Sequence, residues 1–170
     1  CQLKRLRPDL QTAPIRGNVE TRLRKAEEAG WQGVVLAAAG LKRLGVGGLI
    51  AERGLLLEPE DMLPAPAQGI LGLETRVGDV QTLPLLQPLH NEASHRQALA
   101  ERAFLRHMEG GCHAPMGAFC RLLGEEFEIE GFFQTEKNFY RQTLRGRLGQ
   151  EAAFGQRLAE MIKELIASEG

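Results

Sequence analysis

Between Gly54 and Pro88 the chain cannot sustain a long regular element. Pro59, Pro64, Pro66, Pro84 and Pro88 each remove a backbone donor and fix φ, and Gly54, Gly69 and Gly72 lie among them. This stretch divides the sequence into two foldable portions, residues 1–64 and residues 87–170, joined over 65–86 by a crossover segment and a linker. A chain of 170 residues buries roughly 70% of its unfolded surface, enough for one core or two small ones.

The first portion reads as alternating elements. Residues 1–6 look like a helix already under way and stopped by Pro8, the mark of a fragment; residues 10–15 suit a short strand. Asn18 is placed to cap a helix over 19–29, with Val19, Leu23 and Ala26 on one side and Gly30 closing it. Residues 34–37 form an apolar run typical of a strand buried on both faces, and 39–44 turn helical again. Strand, helix, strand, helix predicts a parallel α/β layer. Residues 70–74 form a further strand pattern, short of partners.

The last portion has a different grammar. Asn91 caps a helix over 92–108 whose Ala93, Ala100, Phe104 and Met108 fall at helical spacing. Three strands follow at 117–122, 126–133 and 139–145; the middle one alternates Phe127 and Ile129 with Glu126, Glu128 and Glu130. Gly124 and Asn138 supply the turns of a meander. Phe154, Leu158, Met161 and Leu165 then predict an amphipathic helix over 151–167 that covers the sheet, with Gly155 weakening its first turn. The expected class is α/β plus α+β: an α/β remainder, then a small domain with a three-stranded antiparallel sheet and two covering helices.

Charge narrows the partners. Residues 1–53 hold ten Lys/Arg against five Asp/Glu, and residues 54–170 hold eleven against seventeen. A basic amino-terminal portion wants an anionic partner. It has one aromatic residue, Trp31, and so no stacking platform for nucleic acid; small multivalent carboxylates fit better. The longest apolar run, 34–39, is far too short to span a bilayer. Three cysteines without metal-like spacing suit a reducing compartment, and no signal peptide is recognisable. The histidines at 90, 95, 107 and 113 form no metal pattern. Residues 45–48 follow a helix and lack the lysine and hydroxyl of a phosphate loop.

One stretch carries chemistry: Glu109-Gly110-Gly111-Cys112-His113-Ala114-Pro115. Two glycines end the preceding helix, Pro115 prevents its resumption, and the thiol is left on a turn. Taken alone, an isolated cysteine is more often a small buried hydrophobe. Its surroundings change that weighting. Ala100-Glu101-Arg102-Ala103-Phe104-Leu105 leading to Glu109-Gly110-Gly111-Cys112 resembles the cofactor-attachment segment of the hydroxymethylbilane synthases, also called porphobilinogen deaminases. Ile15-Arg16-Gly17-Asn18-Val19 with Thr21-Arg22-Leu23, Leu36-Ala37-Ala38-Ala39-Gly40-Leu41-Lys42-Arg43-Leu44-Gly45, and Leu63-Pro64-Ala65 with Gln68-Gly69 resemble that family in the same order. Beyond about residue 120 the likeness fades.

The resemblance implies that the Cys112 sulfur carries a dipyrromethane cofactor through a thioether. The chemistry suits sulfur: an aminomethylpyrrole that loses ammonia becomes an electrophilic azafulvene, which a thiol captures as a stable carbon–sulfur bond. The resemblance also places Arg16 and Arg22 on the acetate and propionate arms of cofactor and growing chain. A guanidinium can hold a carboxylate through two hydrogen bonds, and a contact at 4 Å is worth about 4 kcal/mol at an effective dielectric of 20. Arg43, Gln68 and Arg102 match further family positions. Against these stand a helix-dipole role for Arg43, an ion pair of Arg102 with Glu101 or Glu109, and Ala67 where the family usually has glycine before the glutamine. Glutamine is also more usual than His113. Cys1 and Cys120 read as structural.

The implied activity is a transferase reaction of tetrapyrrole (haem, porphyrin) biosynthesis, in the cytoplasm: four porphobilinogen molecules are condensed head to tail with release of ammonia. Its general acid/base is an aspartate of a first domain that this sequence lacks, so no catalytic side chain is assigned here and the chain alone is expected to be inactive. The α/β remainder over 1–64 would belong to a periplasmic-binding-protein-like second domain, and the strand over 70–74 would return to the absent first one. Expected partners are porphobilinogen, the growing pyrrole chain and that first domain, with no nucleic acid, membrane or metal, in a protein that is monomeric when complete. The alternative is a non-catalytic carboxylate-binding module of the same fold.

Overall fold

In a computed structural model of the chain, residues 1–109 and 114–169 are described, and they divide into two units, Gln2–Asp61 and Met62 onward. The first unit is built from four short helices: α1 (Gln2–Leu6), α2 (Val19–Glu28), α3 (Ala38–Arg43) and α4 (Gly48–Arg53). Asn18 caps α2 as its sequence predicts, its Oδ1 accepting the Thr21 N–H at 2.8 Å. Gly30, at φ +64°, ends the helix: its N–H donates to the Glu27 carbonyl and the Trp31 N–H to the Ala26 carbonyl, the paired bonds of a Schellman motif. Gly45, at φ +73°, ends α3 in the same way, with Gly45 N–H on the Lys42 carbonyl and Val46 N–H on that of Leu41. Ala26 and Leu41 are the buried side chains of this unit.

The parallel layer expected over the first portion is not formed here. Residues 10–15 and 34–37 are neither helix nor strand, and among the described residues the first unit contains no strand. The same holds for residues 70–74, where Leu71 and Leu73 are exposed. A parallel strand is stable only within a sheet covered on both faces, and these segments have no neighbouring strand to complete their ladders. In the 65–86 segment and just beyond it, Pro84 and Pro88 sit at the first turns of two helical pieces, α5 (Leu83–Leu86) and a 3-10 turn (Gln87–Leu89), where a missing N–H does no harm.

The carboxy-terminal half of the second unit follows its sequence closely. α6 (Glu92–His107) starts at Asn91, whose Oδ1 accepts the Ser94 N–H at 2.9 Å. β1 (Met116–Leu123), β2 (Glu126–Gln134) and β3 (Phe139–Arg147) form an antiparallel meander in the order β1-β2-β3. α6 and α7 (Glu151–Ser168) cover one face. Phe127 and Ile129 are fully buried there with Phe104, Leu158 and Ile162, each worth about 1.5–3 kcal/mol of transfer free energy. On the opposite face Glu130 pairs with Arg141 at 2.6 Å and Glu128 with Arg145 at 2.7 Å, cross-strand pairs that suit a polar surface.

Three details depart from the sequence reading. Ala93 is exposed, so the buried stripe of α6 runs through Ala100, Phe104 and Met108. The helix is stopped before the two glycines, by Glu109 itself in the left-handed region at φ +56°. Gly155 is no weakness: a β-carbon there would lie 2.1 Å from the Ala100 carbonyl oxygen, so α7 can cross α6 at this distance only with glycine.

Candidate functional site

Arg16 lies just before α2 and Arg22 in its first turns. Arg16 is exposed, and its guanidinium has no hydrogen-bond partner among the described residues, while its carbonyl accepts Lys25 Nζ at 3.1 Å. Arg22, half-buried, donates Nε to the Gly17 carbonyl at 2.7 Å. That bond anchors the side chain and leaves its two terminal nitrogens for an end-on pair of bonds to a carboxylate. Gly17 adopts φ +131°, and a β-carbon on it would meet the Thr21 γ-methyl at 2.7 Å, so the loop folds tightly onto the first turn of α2. The Val19 γ-methyl lies 3.5 Å from the position of a β-carbon on Gly40, which brings α3 against the start of α2. Arg43 ends α3 and is exposed. Around the start of α2 this unit thus holds one guanidinium anchored to a backbone carbonyl, that of Arg22, and one without a hydrogen-bond partner among the described residues, that of Arg16.

In the second unit Gln68 and Arg102 are also exposed. The Gln68 side chain folds into its own turn, where Oε1 accepts the Ala65 N–H at 3.2 Å. Ala67, just before it, stands at φ +60°, the left-handed conformation that glycine adopts without cost. The residue that raised doubt in the sequence thus keeps glycine's backbone shape. Arg102 does not pair with either of the acids considered for it. Glu109 approaches Lys163 at 3.6 Å. Glu101, 4% exposed, accepts the Ala67 N–H at 2.6 Å and the Cys120 N–H at 2.8 Å.

Sequence reasoning missed Glu101 as an anchor. A signal existed: it lies one residue from Ala100 and three from Phe104, on the stripe that α6 buries. Burial pushes its carboxyl above the ordinary value, and the two amide donors oppose that rise. Together with the Pro64 carbonyl, which takes the Ala118 N–H at 3.1 Å, and Gln97, whose Nε2 donates to the Cys120 carbonyl at 2.8 Å, it closes the free edge of β1.

Cys112 and His113 lie outside the described residues. Of the other thiols, Cys120 is fully buried, and burial foremost, then the charges of Glu101 and Glu151, push it up to about 12; it is no nucleophile at neutral pH. Gln134, at the end of β2, donates its N–H to the Pro115 carbonyl at 3.0 Å, and its buried Oε1 has no hydrogen-bond partner among the described residues.

No helix is long and apolar enough to cross a membrane among the described residues. Two family models match the chain: "Porphobilinogen deaminase, dipyromethane cofactor binding domain" over residues 1–84, and "Porphobilinogen deaminase, C-terminal domain" over residues 95–164. The porphobilinogen deaminase of Roseiflexus sp. (strain RS-1) is 44% identical over 163 residues, 95% of this chain and 53% of the relative. That of Clostridium novyi (strain NT) is 41% identical over 167 residues, 97% of this chain and 56% of the relative. That of Shouchella clausii (strain KSM-K16) is 53% identical over 124 residues, 72% of this chain and 39% of the relative. The chain thus spans about half the length of the curated relatives it matches. With both domain models in chain order and the four motif blocks lying within them, the chain belongs to the porphobilinogen deaminase family.

Proposed function

We propose that this chain is the cofactor-carrying part of a hydroxymethylbilane synthase, which joins four porphobilinogen molecules into a linear bilane with release of ammonia. Cys112 is the covalent anchor. Arg16, Arg22 and Arg43, with Gln68 and Arg102, bind the acetate and propionate arms. When bound, the dipyrromethane supplies a nucleophilic pyrrole carbon as primer. The side chains of this chain bind and orient: Arg22, fixed by the Gly17 carbonyl, offers a preset pair of donors, so little side-chain entropy is lost when a carboxylate arrives. The observation that carries the reading is this region of cations, one anchored and one free, in a chain whose amino-terminal half matches the cofactor-binding family model.

The domain limits 1–64, 65–86 and 87–170 remain our proposal. So does a periplasmic-binding-protein-like α/β layer for the first of them, in which the segments over 10–15 and 34–37 would gain sheet partners in the longer proteins of the family, while the strand over 70–74 would return to the first domain. The aspartate that moves protons is assigned to a first domain outside this sequence, the complete protein to a monomer of the cytoplasm. The alternative reading is a carboxylate-binding module without chemistry.

Intact mass after incubation with porphobilinogen tests the anchor. The chain should gain a pyrrole adduct that Cys112→Ser lacks, and it should release no bilane. An adduct unchanged in Cys112→Ser removes Cys112 from the reading; reversible binding without any adduct favours the module; bilane formed by this chain alone refutes its expected inactivity.

A further inference from the structure

The buried Glu101 carboxylate joins three elements. It projects from α6, it takes the Cys120 N–H of β1 through Oε1, and it takes the Ala67 N–H through Oε2. The second contact lands on a turn whose own bonds are short-range: Gln68 N–H to the Ala65 carbonyl, Ile70 N–H to that of Ala67, and the Gln68 side chain to the Ala65 N–H. The chain is tied to β1 just before this turn, where the Pro64 carbonyl accepts the Ala118 N–H; within the turn the Glu101 bond is the tie that reaches another element. A residue at φ +60° that is not glycine persists only where its surroundings impose that conformation, and here the imposing group is a carboxylate accepting the N–H of that residue at 2.6 Å. We infer that Glu101 is a positioning residue, which fixes the Ala65–Ile70 turn on α6 and so sets where Gln68 meets the pyrrole ligand.

This rests on the function proposed above, in which Gln68 faces that ligand. Removing the carboxylate leaves the backbone of Gln68 intact and the Pro64 tie to β1 in place, but frees the centre of the turn at Ala67. Glu101→Gln isolates the effect. It is isosteric, one oxygen can keep the Cys120 bond, and its NH₂ then opposes the Ala67 N–H, donor against donor.

The test is a double-mutant cycle in the 170-residue chain, with a synthetic dipyrromethane bearing acetate and propionate arms as the probe. Glu101→Gln, Gln68→Ala and the double variant are compared by calorimetric binding and by amide hydrogen exchange. Exchange at Ala67 should accelerate about tenfold more than at Cys120 in Glu101→Gln. Each single substitution should weaken the probe about fivefold, and the double variant no further, because Glu101 acts through Gln68. Losses that multiply to about 25-fold, or a faster Ala67 amide with unchanged binding, overturn the inference while the functional reading stands. A wild-type chain that does not bind the probe overturns both. Should Glu101→Gln fail to fold, Gly69→Ala replaces it: at φ +84° with open space around it, it strains the same turn without touching the carboxylate. It must then weaken the probe and be non-additive with Gln68→Ala; otherwise the inference falls.

Discussion

Gly155→Ala opposes a local rule to a tertiary one, and the structure says which wins. Gly155 lies inside α7, where alanine is favoured over glycine by about 1 kcal/mol. Judged on the helix alone, the substitution stabilises. The added β-carbon, however, would fall 2.1 Å from the Ala100 carbonyl oxygen, 2.9 Å from the Ala103 β-carbon and 3.0 Å from the Phe104 nitrogen. Two of these are backbone atoms of α6 and cannot rotate away. Relief requires the two helices to part by roughly 1 Å, a gap that forfeits a quarter to a half of each dispersion contact across it. Ala100, Phe104, Leu158 and Ala159 are fully buried around that crossing. A buried leucine alone holds about 6 kcal/mol of such contacts, so a loss near 4 kcal/mol is reasonable and the net effect is about 3 kcal/mol of destabilisation. Urea unfolding followed by far-UV circular dichroism should show a midpoint lower by about 2 M, for a slope near 1.5 kcal/mol/M. Gly131→Ala and Gly146→Ala serve as graded controls. Their β-carbons would meet the side chains of Phe104 and Leu158 at 3.0 Å and of Phe127 at 2.9 Å, which can shift, and each should cost about 1–2 kcal/mol. A Gly155→Ala variant as stable as the wild type, or less damaged than Gly131→Ala, refutes the reasoning.

Three further outcomes follow from the same geometry. Ala67→Gly should stabilise the chain by about 0.5–1 kcal/mol, because relief of a left-handed alanine exceeds the added unfolded-state entropy; unfolding at a lower urea concentration than wild type contradicts this. Glu151 is buried, which raises its carboxyl, but the Gly149 N–H and the Arg96 guanidinium outweigh burial and hold it below the ordinary 4.5. Its contribution is therefore present above pH 4.5 and lost as pH falls through the lower folded value, so the stability gap between wild type and Glu151→Gln should close on acidification and stay open at neutral pH. Cys120 should resist iodoacetamide at pH 8 in the folded chain while the exposed Cys1 is alkylated; equal labelling would contradict the burial.

The α2 cap and much of the carboxy-terminal half were legible from residue order. Period-two alternation over Phe127 and Ile129, caps at Asn18 and Asn91, and turn residues at Gly124 and Asn138 act within a few residues of themselves, so their local physics is complete in the sequence. The strands over 10–15, 34–37 and 70–74 were not decided that way, since a parallel ladder needs distant partners that residue order does not reveal. For the candidate site, residue order put forward Arg16, Arg22 and Cys112, and these stay proposals. Only the tertiary structure decided that Arg22 is held by the Gly17 carbonyl, that Glu101 binds two amides from separate segments, and that glycine at 155 serves a helix crossing. Each of these depends on atoms brought together from far along the chain, where distance in space and not spacing in sequence sets the energy.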